Sequence, residues 1–146
     1  MIPKFRGRCP DGGWVHGSCL KFDENTCFIM PEFRGASTLS YAQIFNHTAQ
    51  YVDIETITQS TGFCDKNGKE IFVGDIMEFT QKSINYSGVS HHNYVEVFQQ
   101  QNGAYRIRGK DIYGTDAFCN RKYLKVVGNI FEDADLLEKD SFMTEE

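Results

Sequence analysis

The sequence has few prolines and no long apolar segment. It contains 3 Pro among 146 residues, and no stretch approaches the roughly 18 consecutive apolar residues that a membrane-spanning helix requires. The basic residues Lys4, Arg6 and Arg8 are not followed by the apolar core of a secretory signal. We therefore expect an intracellular protein without a membrane segment.

Cysteine is too scattered for a disulfide framework. The five cysteines are an odd number, and without a secretory route reduced thiols are expected. Cys9, His16, Cys19 and Cys27 are the residue types that bind zinc, but only His16 and Cys19 have the close spacing of paired zinc ligands. We expect ordinary core residues there, together with one surface histidine. The full set of cysteines is Cys9, Cys19, Cys27, Cys64 and Cys119.

Motifs of catalysis are also missing. The chain has no glycine-rich phosphate loop, nucleophile elbow or zinc-protease helix motif. His91 and His92 are adjacent and point to opposite sides of an extended segment, which argues against joint metal ligation, and His47 stands alone. A Cys–His nucleophilic pair that meets only in the fold stays open. We expect that the protein is not an enzyme and that it binds neither a cofactor nor a metal.

The composition that is present favours a packed β protein. Hydrophobic residues make up 40% and charged residues 24% of the chain, so a core is expected. Aromatics reach 14%, with 12 Phe and 7 Tyr, and 13 Gly supply turns. The length is that of a single domain.

Turn residues between alternating segments predict several hairpins. Residues 14–22 and 27–30 flank a four-residue turn. Residues 94–98 and 104–108 flank a turn ending in Asn102-Gly103. Residues 82–92 are polar and indicate a loop.

Shorter signals fill the rest of the chain. Residues 53–57 fit one helical turn with Asp53 at its start, and Asn67-Gly68 suits a tight turn because both residues tolerate positive φ. Gly74 permits a bend between two β segments. Residues 40–45 fit either a short helix capped by Ser40 or a strand. The sequence also predicts a buried strand over 123–131 and a short helix within 133–140.

Together these signals predict a mainly β fold with one or two short helices and a small SH3-like barrel in the C-terminal half. We expect one domain over residues 1–146, with an N-terminal β lobe over 1–64 and a barrel-like lobe over 65–131. Residues 132–146 form an acidic tail in which acids outnumber bases seven to one, and this tail accounts for the net charge of −5. We interpret the tail as a solvated segment.

Three parts of the chain carry a resemblance to a known family. They are KFRG at 4–7 with WVHG at 14–17, DIETITQSTGFCDKNGKEIFVGDI at 53–76, and VVGNIFE at 126–132 with DLL at 135–137. Their order and spacing resemble the YopX family of phage and prophage proteins. Ile54 and Phe63 stand where the family usually has Pro and Leu, and both changes are conservative in size.

The resemblance implies a mostly β domain encoded by phages or prophages and acting in the cytoplasm of the bacterial host cell. It supplies no catalytic or cofactor-binding residues, because the family has no established activity. Its shared residues are typical of turns, close approaches and core positions, such as Gly74 and Gly128.

One segment has the charge pattern of a nucleic-acid surface. Between residues 104 and 125 bases outnumber acids six to two, and Tyr105, Tyr113, Phe118 and Tyr123 are interleaved with them. The simpler interpretation is that Tyr105 and Tyr123 pack inward while the bases solvate outer strands or attract the acidic tail. The candidate nucleic-acid-binding residues are Arg106, Arg108, Lys110, Arg121, Lys122 and Lys125.

These observations support a ranking of functions. The first hypothesis is a non-enzymatic accessory protein that binds host or phage proteins or assembles with itself as a homo-oligomer through exposed strand edges. The alternative is a nucleic-acid-binding β-barrel module. The second alternative is a small enzyme or an anti-defence factor.

Overall fold

The computed structural model describes residues 3–32 and 39–145. The chain divides into two compact units, residues 1–60 and residues 61–146. The described residues form eleven β-strands, one α-helix and two short 3-10 helices, which confirms the mainly β prediction. No helix within these two stretches is long and apolar enough to cross a membrane. Residues 33–38, in a part predicted to be irregular, lie outside the description.

The strands of unit 1 pair in a closed circuit. The elements are β1 (Phe5–Arg8), β2 (Trp14–Lys21), β3 (Cys27–Met30), α1 (Tyr41–Thr48) and β4 (Gln50–Cys64), which continues into unit 2. Strand β1 pairs with β2 and with β4, and β3 pairs with the same two strands, all antiparallel. Cys27, Ile29 and Val52 are buried at the centre of this circuit. The predicted hairpin over 14–30 is confirmed as β2 and β3.

The alternative left open at residues 40–45 is settled as a helix. Ser40 caps α1: its hydroxyl accepts a hydrogen bond from the Gln43 N–H, and the Gln43 side chain accepts one from the Ser40 N–H at 2.8 Å. The Phe45 ring holds α1 against the sheet, with its centroid 5.4 Å from that of Phe28. This pair of reciprocal hydrogen bonds between Ser40 and Gln43 is the local signal that favours a helix over a strand.

The helical turn predicted over 53–57 is wrong, because these residues lie within β4. The pairing with β1 shifts register here, from Arg6 opposite Thr58 to Arg8 opposite Asp53. The Asp53 carboxylate still accepts a hydrogen bond from the Glu55 N–H at 3.1 Å. The register shift in β4 therefore uses the same aspartate contact that a helix start would use.

Unit 2 is built on an antiparallel sheet. Its elements are β5 (Glu70–Phe72), β6 (Asp75–Lys82), β7 (Val89–Gln99), β8 (Tyr105–Gly109), β9 (Tyr113–Asp116), a 3-10 helix (Arg121–Tyr123), β10 (Leu124–Asn129), a second 3-10 helix (Ala134–Glu138) and β11 (Phe142–Glu145). The strand order is β10-β6-β7-β8-β9, and β11 pairs with β7. The pairings of the described residues run as an open path, so closure into an SH3-like barrel stays a prediction.

Apolar side chains from the central strands of this sheet fill the core of unit 2. Met77 and Phe79 of β6, Val95 and Val97 of β7, and Ile107 of β8 are buried together. Burial of such side chains is the main favourable contribution to folding. The remaining buried members of the cluster are Ile71, Ala117 and Leu124.

Several elements of unit 2 begin or end at other residues than the sequence predicts. The loop predicted over 82–92 is wrong in its last part, since β7 already begins at Val89. The strand predicted over 123–131 is shorter, because Arg121–Tyr123 is a 3-10 helix and β10 ends at Asn129. The short helix predicted within 133–140 is present as the 3-10 helix Ala134–Glu138. Strands β9 and β11 were not predicted.

The turn after β4 depends on one buried carboxylate. Asp65 Oδ1 accepts hydrogen bonds from the N–H groups of Asn67 at 2.8 Å and Lys69 at 2.9 Å. Asp65 Oδ2 accepts a third bond from the Val126 N–H of β10 at 2.9 Å. Gly68 has positive φ in this turn and Asn67 does not. The aspartate thus joins the turn to a strand that is distant in sequence.

We expect Asp65→Ala to lower the free energy of unfolding by about 3 kcal/mol, because three N–H groups are deprived of a charged acceptor. Chemical denaturation followed by tryptophan fluorescence or circular dichroism measures the change. Asp23→Ala is the matched control, since Asp23 caps an exposed turn through a 2.8 Å bond from the Asn25 N–H. An equal decrease in both variants would contradict the role of Asp65.

Candidate functional site

Strand β7 has one face in the core and one face outside it. Val95 and Val97 are fully buried in the core of unit 2. Since side chains alternate along a strand, Tyr94, Glu96 and Phe98 project from the opposite face. This alternation positions the candidate site.

Strand β8 continues both faces. Ile107 is buried, while Arg106 and Arg108 lie on the other face, as the alternation in the sequence predicted. Arg108 is opposite Glu96 in the strand pairing, and Arg108 Nε donates to Glu96 Oε1 at 2.9 Å. The Arg108 guanidinium carbon also lies 4.4 Å from the centre of the Phe98 ring. Arg108 is therefore held by an ion pair and by an aromatic ring.

Strand β9 completes this surface with an exposed tyrosine. The Tyr113 ring centre is 5.9 Å from that of Phe98, and Tyr113 is 77% exposed. Arg106 lies opposite Asp116 in the strand pairing, with 3.7 Å between Nη1 and Oδ2. We call this surface the outer face. It comprises Glu96, Phe98, Arg106, Arg108, Tyr113 and Asp116.

Asp116 gives the outer face a stable negative charge. Its Oδ1 accepts a 2.7 Å hydrogen bond from the Cys119 N–H, and this bond, with the charge of Arg106, holds the pKa of Asp116 below its usual value. The same carboxylate accepts a hydrogen bond from the Cys119 thiol and repels its thiolate, which raises the pKa of Cys119. Arg106 is thus balanced by an acid that stays ionised well below neutral pH.

The remaining bases of the predicted set lie elsewhere. Lys110 Nζ donates to Asp140 Oδ1 at 2.5 Å, so one base does attract the acidic tail. Arg121 lies 3.9 Å from the centre of the Phe118 ring, and Lys122 lies 5.1 Å from that of Tyr123. Lys125 is exposed on β10.

The structure divides the predicted nucleic-acid set between surfaces. Phe118 contacts Phe63, whose ring also contacts Tyr105 at 6.0 Å between centres. Tyr105 packs against the core as expected, on the face of β8 opposite Arg106 and Arg108. The expectation that Tyr123 packs inward is wrong, because Tyr123 is exposed. Arg121 stacks on Phe118, whereas Arg108 stacks on Phe98.

The residues considered for zinc do not converge. Cys19 Sγ and Cys27 Sγ are 2.9 Å apart, but Cys9 Sγ donates to Gln50 Oε1 and His16 is exposed. Burial and the hydrogen bond with Cys27 raise the pKa of Cys19 to about 11. Among residues 3–32 and 39–145, no three His, Cys, Asp or Glu side chains are grouped as metal ligands would be.

Sequence reasoning missed a contact between β7 and the acidic tail. His92 is buried in β7, and its ring stacks on Phe142 of β11 with 4.7 Å between centres and 11° between planes. Phe142 also lies 6.1 Å from Tyr94, so it extends the outer face. One sequence signal could have indicated it. His92 has the same alternation as Tyr94, Glu96 and Phe98, so the strand pattern extends back into the segment predicted to be a loop.

We expect Asp116→Asn to speed alkylation of Cys119 at pH 8. The neutral amide no longer raises the thiol pKa, so more Cys119 is thiolate at this pH. Mass spectrometry after timed iodoacetamide treatment measures the rate, and the exposed Cys64 is the internal control. A slower or unchanged rate at Cys119 would contradict the described contact.

Comparisons with known proteins agree with this architecture. The family model described as YopX protein matches residues 4–138. No curated protein gives a significant match. A similar solved structure is the crystal structure of protein EF1440 from Enterococcus faecalis, with 28% sequence identity and a TM-score of 0.53, covering 94% of this chain and 99% of that chain. Because the family model covers most of the sequence, the chain belongs to the YopX family.

Proposed function

We propose that the protein is a non-enzymatic phage or prophage accessory protein that binds other proteins through the outer face of unit 2. It acts in the cytoplasm of a bacterial host, and its partners are phage or host proteins or further copies of itself. The observation that carries this proposal is the stack of Arg108, Phe98 and Tyr113 on an open sheet face.

The chemistry of the outer face supports a protein partner. Aromatic residues and arginine are the residue types that contribute most to protein interfaces. Tyr113 offers a large ring at low entropic cost, because its contact with Phe98 already restricts it. Arg108 is fixed by Glu96 and Phe98 before any partner arrives. The face is therefore preorganised for binding.

The charge balance of the same face favours protein over nucleic acid. Each arginine is opposite an acid, Arg108 with Glu96 and Arg106 with Asp116. Phosphate binding requires bases that are in excess over acids, since affinity comes from neutralising the backbone. Glu96 and Asp116 would repel phosphates at neutral pH.

We expect Tyr113→Ala to weaken binding of a protein partner at least about tenfold, the effect of removing one central aromatic ring from an interface. A partner recovered with the tagged full chain from bacteria carrying the gene is purified, and calorimetry compares the variants. Tyr86→Ala is the matched control, since Tyr86 is also exposed but lies between β6 and β7. Equal affinities for wild type and Tyr113→Ala would contradict the proposal.

A specific observation keeps nucleic acid as the second candidate. Arg121 over Phe118 and Lys122 over Tyr123 place bases beside exposed rings, an arrangement that suits single strands. The residues of this surface are distinct from the paired arginines of the outer face.

We expect fluorescence anisotropy with single- and double-stranded oligonucleotides to show no salt-sensitive binding. Tight binding at low salt that falls steeply as salt rises would favour the second candidate. In that event, the double variant Arg121→Glu and Lys122→Glu should abolish it, because it reverses the charge of both bases that lie beside exposed rings. Tyr86→Ala again serves as the control for nonspecific effects.

A further inference from the structure

Strands β8 and β11 both pair with one edge of β7. The opposite edge of β7 is occupied by β6, which pairs with Ser90 to Glu96. On the shared edge, β8 pairs with Val95 to Gln99, and β11 pairs with Val89 to His92. Without β11, the backbone groups of Val89 to His92 on this edge would have no strand opposite them, and such edges are templates for strand addition.

Side chains give this edge a specific recognition pattern. His92 is 9% exposed, and its Nδ1 lies 2.8 Å from Glu78 Oε1 and 3.0 Å from Thr80 Oγ1. Because a carboxylate only accepts, Nδ1 carries the hydrogen of the contact with Glu78, and Nε2 lies 2.6 Å from Thr144 Oγ1. Phe142 stacks on the same ring. The edge therefore selects a strand with an aromatic residue and, two positions later, a hydroxyl residue.

Strand β11, which pairs with this edge, is held by few interactions. All four residues of β11 are exposed to solvent, and the pairing is four residues long. The Lys110–Asp140 ion pair just before β11 lies on the surface, where such pairs contribute little to stability. A short connection joins β11 to the 3-10 helix Ala134–Glu138. Release of β11 therefore removes no side chain from the core of unit 2.

We propose that the edge Val89 to His92 is a strand-acceptor site that takes the Phe142–Glu145 segment of a second copy of this chain. The occupant is argued from the fit already present: the segment from another copy would make the same strand pairing, the same ring stack and the same hydroxyl bond. Exchange of an identical segment is a low-cost route to assembly, since the interactions that hold the segment within one chain form again between two chains.

The protein concentration determines whether β11 pairs within its own chain or with a second copy. A segment joined to its own acceptor by a short connection has an effective concentration on the order of millimolar. Exchange therefore needs high protein concentration or a second contact between the copies, such as the outer face, of which Phe142 is the continuation. The inference rests on the proposed function in that the partner is a protein, and it names that partner as a second copy.

Cross-linking between two full-length variants tests the exchange. One carries Met143→Cys and the other His91→Cys, because these residues are opposite each other in the pairing of β11 and β7 and suit a disulfide. Both carry Cys64→Ser and Cys119→Ser to remove the exposed thiols. The variants are mixed, oxidised with oxidised glutathione, and separated on a non-reducing gel.

A control mixture measures how much disulfide cross-linking arises from random collision. Met143→Cys mixed with Ile84→Cys reports random collision, since Ile84 is 100% exposed and lies outside the pairing. A chain carrying both Met143→Cys and His91→Cys verifies that the variants fold with the described register, by forming an internal disulfide in dilute solution.

We expect disulfide-linked dimers from the 143–91 mixture at several times the yield of the 143–84 mixture, rising with protein concentration. Adding Phe142→Ala to both chains should reduce that yield to background, because the ring that stacks on His92 is then absent. A 143–91 yield equal to background at every concentration overturns the inference, even if Tyr113→Ala weakens partner binding. A high 143–91 yield supports it even if Tyr113→Ala leaves partner binding unchanged.

Discussion

The alternation of side chains along β7 determines which residues of unit 2 lie in the core and which lie on the opposite face of the sheet. Val95 and Val97 must point into the core, so Tyr94, Glu96 and Phe98 must point away from it. A shift of one residue would exchange the two sets and bury a carboxylate. The same strand pairs with β6, β8 and β11. The core, the outer face and the acceptor edge therefore share one register.

The segments that carry the family resemblance serve architecture. Asp65 joins its turn to β10 through three backbone N–H groups. Gly128 leaves room for a carboxylate: a Cβ at this position would collide with Asp133 Oδ2, which accepts from the Asn129 N–H. The close approach expected at Gly128 is therefore made by a side chain. The surfaces proposed for binding lie outside these segments, at Phe98, Tyr113 and Phe142.

The sequence predicted those parts of the fold that depend on local signals. Hairpins with clear turns, the bend at Gly74 and the outward direction of Arg106 and Arg108 follow from turn chemistry and alternation. The helical turn predicted over residues 53–57 is wrong because Asp53 makes the same bond to a backbone N–H at the register shift of β4 as it would at a helix start. Strand β11 could not be predicted, since four residues of an acidic segment become a strand only when the edge of β7 is beside them. The outer face likewise required knowledge of which strands are neighbours.

Light scattering of the purified full chain over a range of concentrations shows whether the protein associates with other protein chains. We predict a mass that rises from the single-chain value of 16.7 kDa towards multiples of it as concentration increases. Exchange of β11 and contact through the outer face both give this result. A mass that stays at 16.7 kDa at every concentration, with no partner recovered from the host, would contradict the account.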